Sequence, residues 1–177
     1  MPKICDHTSV GILVFNKLDE LLLIERAKFP PGFALPAGHV DSDENFLIAA
    51  NRELLEEVGI ENADLRFLIE GKKENPCRRE GGSWHYWKLF LANRKIDASE
   101  VKRSMDETKK VGWYNSVSVL GLSILTEDYL RGKITNEDWQ QSPGLEPVMH
   151  EWFSDTSLHN QLKLMGNTFF DLTGKLP

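Results

Sequence analysis

The sequence predicts a mixed α/β fold in a single domain. Runs rich in aliphatic and aromatic residues at 8–15 (TSVGILVF), 21–26 (LLLIER) and 84–92 (WHYWKLFLA) are typical of strands. Between the second and third runs, residues 42–58 place apolar side chains at helical spacing. The chain has 177 residues, 41% of them hydrophobic, which is enough apolar material for one core. We therefore expect one domain over residues 1–177.

Turn residues and apolar runs give the other elements. Asn16–Glu20 separates the first two runs as in a hairpin, and Pro30, Pro31 and Gly32 mark a loop before the segment Ala34–Val40. The elements expected further on are a strand at 65–71, a polar loop at 72–83, a strand at 111–114 and a helix from Ser116 or Ser118.

Residues 133–177 follow the last of these elements and form a C-terminal extension. Trp139, Pro143 and Gly144 lie in a loop-like stretch, and the spacing of apolar residues at 148–165 predicts a helix. We expect this extension either to pack on the domain or to form the contact of a homodimer.

Charge and cysteine content disfavour several classes of protein. The formal net charge of −6 argues against general nucleic-acid binding. No apolar run approaches the ~18 residues that span a bilayer, so we expect no membrane association. Cys5 and Cys77 form no disulfide framework and have no metal-ligand companions. A reducing cytoplasm is therefore the expected compartment.

The segment from about Ser42 to Val58 predicts the central helix. Asp41, Ser42 or Asp43 is the expected N-cap, and Gly59 is the expected left-handed stop. At about 100° per residue, four apolar side chains fall within one narrow arc and predict the buried stripe. These residues are Leu47, Ala50, Leu54 and Val58.

Three glutamates are concentrated in one turn of this helix. Glu53, Glu56 and Glu57 stand at i, i+3 and i+4, so their carboxylates converge beside the apolar stripe. Like charges at this spacing repel one another, and partial burial increases that repulsion. A solvated acidic face would be expected to carry a cation within the turn after Glu53, and none is present. Carboxylates are the hard ligands that Mg²⁺ prefers, so the cluster predicts a divalent metal site.

The glutamates belong to a longer pattern at residues 38–60, GHVDSDENFLIAANRELLEEVGI. It resembles the Nudix box, G-x5-E-x7-R-E-U-x-E-E-x-G-U with U aliphatic, at every specified position. These positions are Gly38, Glu44, Arg52, Glu53, Leu54, Glu56, Glu57, Gly59 and Ile60. The resemblance implies a Nudix-type α/β/α sandwich with a mixed sheet and a catalytic helix, here followed by a C-terminal helical extension at 133–177.

The resemblance also implies an activity. Nudix hydrolases typically hydrolyse a nucleoside diphosphate linked to a further group, by attack of water on phosphorus, with Mg²⁺ or Mn²⁺ as cofactor. By position, Glu56 and Glu57 resemble the principal metal ligands, and the Gly38 carbonyl resembles a further one. Glu53 resembles either a metal ligand or the general base. Arg52 resembles the arginine that orients the glutamates.

Three positions in or next to the box carry further expectations. Glu44, near the helix start, is expected to be structural or to act without direct metal contact. Many relatives have Pro-Gly-Gly before the box, whereas this chain has Pro36-Ala37-Gly38, so Ala37 restricts the backbone slightly. His39 either contacts substrate or merely lies in the loop.

A later acidic residue contributes to the site in many Nudix proteins. The candidates here are Glu100, Asp106 and Glu107. We favour Glu107 as a catalytic residue because it comes shortly before the strand at 111–114. The alternative is a solvated loop carboxylate.

Candidate substrate contacts lie on two strands. Arg26, at the end of the second run, resembles a phosphate-contacting arginine of the family, and the alternative is an ion pair with Glu25 or another neighbour. Side chains alternate along the strand at 84–92, so two pairs of rings face opposite sides. The pairs are Trp84 with Tyr86, and His85 with Trp87. We take Trp84 and Tyr86 as the expected base-stacking surface, with core packing as the alternative.

The sequence leaves the substrate and one alternative function open. Nucleotide sugars, ADP-ribose, dinucleoside polyphosphates and nucleoside triphosphates all fit; Pro76 resembles a proline of ADP-ribose pyrophosphatases and favours that substrate only weakly. A catalytically silent nucleotide sensor would be expected to show a decayed box or an attached DNA-binding domain. An isoprenoid diphosphate isomerase would need a cysteine nucleophile, and neither Cys5 nor Cys77 has a recognisable setting for that role.

Overall fold

The described part of the chain begins with strands and ends with four consecutive helices. The computed structural model describes residues 3–41 and 45–171. The strands are β1 (Thr8–Leu13), β2 (Leu21–Arg26), β3 (Phe33–Ala34), β4 (Ala37–His39), β5 (Leu65–Glu74), β6 (Trp84–Ala92) and β7 (Thr108–Tyr114). The helices are α1 (Phe46–Val58), α2 (Ser116–Leu130), α3 (Asn136–Gln141), α4 (Pro147–Phe153) and α5 (Thr156–Leu164), with a 3₁₀ turn at Ala98–Glu100.

Two sheets lie at the centre of the fold. The larger has the order β4-β1-β6-β5 and is mixed, because β1 runs parallel to β6 and the other neighbours are antiparallel. The smaller has the order β3-β2-β7 and is antiparallel. The predicted mixed α/β class with a mixed sheet is therefore confirmed.

β1 and β2 pair only next to the turn that connects them. Phe15 lies opposite Leu21, and the N–H of Leu22 donates to the Val14 carbonyl at 2.9 Å. Away from the turn, β1 and β2 belong to different sheets. Only the part of the expected hairpin next to the turn is therefore formed. Both strands are buried on both faces, as expected for strands covered from two sides.

Helix α1, which carries the box glutamates, packs on β1 and β4. Asn45 is its N-cap, and the Asn45 side chain accepts the N–H of Ile48 at 2.9 Å. The expected cap Asp41 is therefore wrong, because Asn45 lies next to the first helical turn. Residues Ser42, Asp43 and Glu44, which also carried predictions, lie outside the described residues.

The buried stripe of α1 begins later than predicted. Leu47 is 47% exposed, so its assignment to the stripe was wrong, whereas Ala50, Leu54 and Val58 are fully buried. The first fully buried residues of the helix are Ala49 and Ala50. At its C-terminal end, Gly59 adopts φ 69° and stops the helix as predicted.

The extension shares one hydrophobic core with the strands. Met149 and Trp152 of α4 and Leu158 of α5 are buried together with residues of β1 and β2. The predicted helix at 148–165 is two helices, because the Asp155 side chain accepts the N–H of Ser157 and starts a new one.

The stretch around Trp139 was wrongly expected to be a loop. It forms α3, which begins where the Thr135 hydroxyl accepts the N–H of Asp138 at 3.1 Å. The buried Trp139 ring stacks on Tyr129 of α2, with a centroid distance of 4.2 Å. Within the described part of the chain, every helix is too short or too polar to cross a membrane.

Candidate active site

Two glutamates of α1 point into the protein rather than into solvent. Glu53 and Glu57 are one turn apart and are only 8% and 6% exposed. One carboxylate oxygen of Glu57 accepts the N–H of Ala37 in β4 at 2.9 Å. An ideal Cβ at Gly38 would lie 2.0 Å from Oε1 of Glu53, so the glycine is what lets this carboxylate lie against β4. The box glutamates thus bring helix α1 and strand β4 together.

Burial perturbs both carboxyl groups. Burial raises the pKa of Glu57 to about 8, the neighbouring Glu53 adds to the rise, and Arg26 and the N–H of Ala37 oppose it. Burial likewise raises the pKa of Glu53, against the opposing charge of Arg52. The surrounding cations therefore do not restore the ordinary pKa of either group. Two buried carboxylates in this situation fit a hard divalent cation such as Mg²⁺, which would favour their charged forms.

Arg52 connects the glutamates to β4. Its Nη1 donates to Glu53 at 2.7 Å and to Glu56 at 3.0 Å, and its Nη2 donates to the His39 carbonyl at 2.9 Å. The side chain of Glu56 is 55% exposed, so of these three glutamates it is the one that faces solvent. A single guanidinium thus fixes the orientation of two box carboxylates relative to the strand.

Arg26 has a buried partner that sequence reasoning missed. Its Nη1 lies 3.8 Å from Oε2 of Glu146, a fully buried residue that immediately precedes α4. Burial alone would lower the pKa of Arg26, but Glu146, Glu57 and Glu53 together raise it. The partner is therefore not Glu25, which pairs with lysines of β7 instead.

Arg26 and Glu146 border a narrow cavity of about 40 Å³ beside the box. Gly38 and Trp87 also line it. No local pattern links Arg26 to Glu146 in the sequence, so no signal could have paired them. Contact between Arg26 and a phosphate stays a prediction.

Of the three later acidic candidates, Glu107 acts electrostatically on the buried groups of the site. Its charge contributes to the raised pKa values of both Glu57 and Arg26. Its carboxylate forms an ion pair with Lys28. Glu100, in contrast, pairs with Arg94 at 2.7 Å and caps the 3₁₀ turn. A direct role for Glu107 in catalysis stays a prediction.

The aromatic side chains of β6 divide between two faces of the sheet. Trp87, like His85, lines the cavity beside the box. Trp84 stacks on His7 with a centroid distance of 4.4 Å, and Tyr86 is 37% exposed and hydrogen-bonded to Glu70. The structure therefore does not bring Trp84 and Tyr86 to the cavity, and their predicted contact with substrate stays untested.

A second group of reactive side chains lies next to the box. The sulfur atoms of Cys5 and Cys77 and the Nε2 atoms of His39 and His85, here called the Cys/His cluster, all lie within 4.8 Å of one another. The expectation that the cysteines lack metal-ligand companions was wrong. The four residues come from separate segments of the chain, so their spacing forms no recognisable motif.

Comparison with known proteins supports the fold and the family. The NUDIX domain family model matches residues 6–144. The chain is 28% identical over 116 residues to the 8-oxo-dGDP phosphatase NUDT18 of Danio rerio, covering 64% of this chain and 33% of the relative. It is 42% identical over 60 residues to an RNA pyrophosphohydrolase of Pelagibacter ubique, covering 33% of this chain and 38% of the relative. The chain thus spans little more than a third of these curated relatives.

Solved structures share the fold. The MutT protein of Methanosarcina mazei Go1 superposes with a TM-score of 0.60 at 20% identity, covering 99% of this chain and 97% of that one. The NUDIX domain of Shewanella oneidensis NrtR, solved with ADP-ribose, gives a TM-score of 0.54 at 19% identity, covering 74% and 89%. The Nudix-type fold expected from the box is therefore confirmed. With its box on helix α1 and a family match over residues 6–144, the chain belongs to the NUDIX domain family.

Proposed function

We propose that this protein is a metal-dependent diphosphohydrolase. It hydrolyses a nucleoside diphosphate linked to another moiety, such as a nucleotide sugar, ADP-ribose or a nucleoside triphosphate, by attack of water on phosphorus. The observation that carries the proposal is the pair of buried carboxylates, Glu53 and Glu57, held one turn apart against β4. Burying these two carboxylates with only partial charge compensation lowers the stability of the folded protein. A requirement for metal binding in the function accounts for their burial.

Mg²⁺ or Mn²⁺ is the proposed cofactor. Glu53, Glu56 and Glu57 would hold it together with the Gly38 carbonyl, and this set of oxygen ligands suits hard cations. When bound, a divalent ion neutralises the diphosphate and lowers the pKa of the attacking water. Arg52 supports this role because it holds Glu53 and Glu56 in one orientation.

The remaining site residues have proposed roles in proton transfer and phosphate binding. Glu53 serves either as a metal ligand or as the general base, and Glu107 is the second candidate for activating water. Arg26 presents a positive charge beside the Gly38 strand, where a substrate phosphate would lie. Its buried partner Glu146 keeps that guanidinium in place.

The substrate is best found by a phosphate-release screen. The panel should contain ADP-ribose, nucleotide sugars, dinucleoside polyphosphates, normal and oxidised nucleotides, and RNA with a 5′ triphosphate, each with Mg²⁺ and with Mn²⁺. The names of the relatives, which concern 8-oxo-dGDP and RNA, are the reason to include the last two classes. Tight ADP-ribose binding with no product from any panel member would favour the silent sensor instead. A homodimer contact and a cytoplasmic location stay predictions.

Two substitutions test the proposed catalytic carboxylates. Glu57→Gln and Glu56→Gln should each abolish turnover while leaving the circular dichroism spectrum unchanged, because the amide cannot supply a charged oxygen to the metal. Glu127→Gln is a matched control: like Glu56, Glu127 is an exposed helical glutamate that pairs with an arginine four residues away, here Arg131. Full activity of Glu57→Gln at saturating Mg²⁺ would refute the proposal.

A further inference from the structure

Two thiols and two imidazoles converge beside β4, next to the cavity that Arg26 and Glu146 border. They are the members of the Cys/His cluster, Cys5, His39, Cys77 and His85. We propose that this cluster binds one Zn²⁺ ion in a closed tetrahedral site that is separate from the carboxylates of the box. The proposal does not depend on the proposed hydrolysis.

Three of the four donor distances given below lie within about 0.2 Å of those between ligands of tetrahedral zinc, and the fourth, between Cys5 and His85, is about 0.5 Å shorter. With Zn–S of about 2.3 Å and Zn–N of about 2.05 Å, a tetrahedron separates two sulfurs by about 3.8 Å, sulfur and nitrogen by about 3.6 Å, and two nitrogens by about 3.3 Å. The Sγ atoms of Cys5 and Cys77 are 3.8 Å apart. Cys5 Sγ lies 3.7 Å from His39 Nε2 and 3.1 Å from His85 Nε2, and the two nitrogens are 3.1 Å apart.

Each sulfur of the cluster accepts a backbone hydrogen bond. The N–H of His7 donates to Cys5 Sγ at 3.3 Å, and the N–H of Arg79 donates to Cys77 Sγ at 3.4 Å. In both cases the donor is two residues after the cysteine. The thiolate is the form that ligates metal, so a bound ion would displace the thiol protons. A Cβ at Gly82 would lie 2.2 Å from Cys77 Sγ, so this glycine makes room for the sulfur.

The two histidines direct the same ring nitrogen into the cluster. Nε2 lies 3.7 Å from Cys5 Sγ in His39 and 3.1 Å from it in His85. The neutral imidazole nitrogen is the form that ligates metal. Two thiolates would balance the charge of the ion. Sulfur and imidazole ligands select zinc over the Mg²⁺ that carboxylates prefer.

A closed site with four protein ligands is structural rather than catalytic. It would join the segment before β1, strand β4, the loop after β5 and strand β6. His39 directly follows Gly38, and its carbonyl accepts a hydrogen bond from Arg52. The zinc would therefore fix the strand against which the box glutamates pack.

Metal analysis of the untagged, full-length protein tests the proposal. We expect one zinc per chain by mass spectrometry, and chelation of that zinc should release two titratable thiols and lower Tm. After replacement of zinc by Co²⁺, a thiolate-to-cobalt charge-transfer band should appear together with tetrahedral ligand-field bands. These measurements use the unaltered chain, so they remain decisive if a variant fails to fold.

Variants assign the ligands. Cys77→Ser and His85→Gln should lose most of the zinc, while Glu57→Gln and the matched histidine control His150→Gln keep it. Retention of a full zinc equivalent by both Cys77→Ser and His85→Gln would overturn the proposal. It would also be overturned if the reduced chain took up neither Zn²⁺ nor Co²⁺.

Discussion

Replacing Gly38 by alanine tests whether the Glu53 carboxylate must lie directly against β4. The new Cβ would fall 2.0 Å from Glu53 Oε1, so the carboxylate must move by about 1.4 Å to reach an ordinary contact of 3.4 Å. The Gly38 backbone has no positive φ, so alanine strains only this contact. A displacement of about 1 Å can cost on the order of 100-fold in rate. We therefore expect Gly38→Ala to lower kcat/KM by about 100-fold and to weaken Mn²⁺ binding.

Steady-state kinetics on the best substrate of the panel measure the first effect, and paramagnetic resonance of bound Mn²⁺ measures the second. Gly121→Ala is the matched control, because a Cβ at this position of α2 meets open space. It should leave activity unchanged and stabilise the helix by about 0.5–1 kcal/mol. A folded Gly38→Ala protein with the kcat/KM and Mn²⁺ affinity of the parent chain would refute the reasoning.

Two further predictions concern stability. Without divalent metal, the free energy of unfolding should fall as pH rises from about 4.5 to about 8, because Glu57 holds its proton in the folded state after the unfolded chain has lost it. Urea denaturation across this range measures the slope; Glu57→Gln should flatten it, and an equal slope in that variant would exclude Glu57 as the cause. Trp152→Ala should lower the free energy of unfolding by about 3–5 kcal/mol, because the ring is 1% exposed in the core. A loss below about 1 kcal/mol in the same assay would show that the extension does not stabilise the domain.

The elements whose signals are local were predictable from the sequence. The run at 84–92 is a strand with the predicted bounds, and the run at 21–26 is likewise β2. The turn between Val58 and Ile60 needs a left-handed residue, and Gly59 provides it. The spacing of Glu53 and Glu57 placed them on one side of the helix, next to its apolar stripe. In each case neighbouring residues alone decide the conformation.

Features that depend on contacts between distant segments were not predictable. Asp41 and Asn45 are chemically equivalent as caps, so only the packing of α1 on the sheet decides between them. Glu146 reaches Arg26 because the extension returns alongside β3, where the N–H of Glu146 donates to the Phe33 carbonyl at 2.8 Å. No sequence pattern predicts this contact. The Cys/His cluster likewise depends on four segments meeting beside β4.

Because Gly38 and His39 are adjacent in β4, the box residues cannot be transferred to another protein together with all of their structural contacts. A graft of residues 38–60 into another protein would carry every glutamate of the box, yet only one of the four residues of the Cys/His cluster, His39. It would also leave behind the Ala37 amide that holds Glu57. The smallest transferable unit must therefore run from before Cys5 to beyond His85, nearly half of the 177 residues.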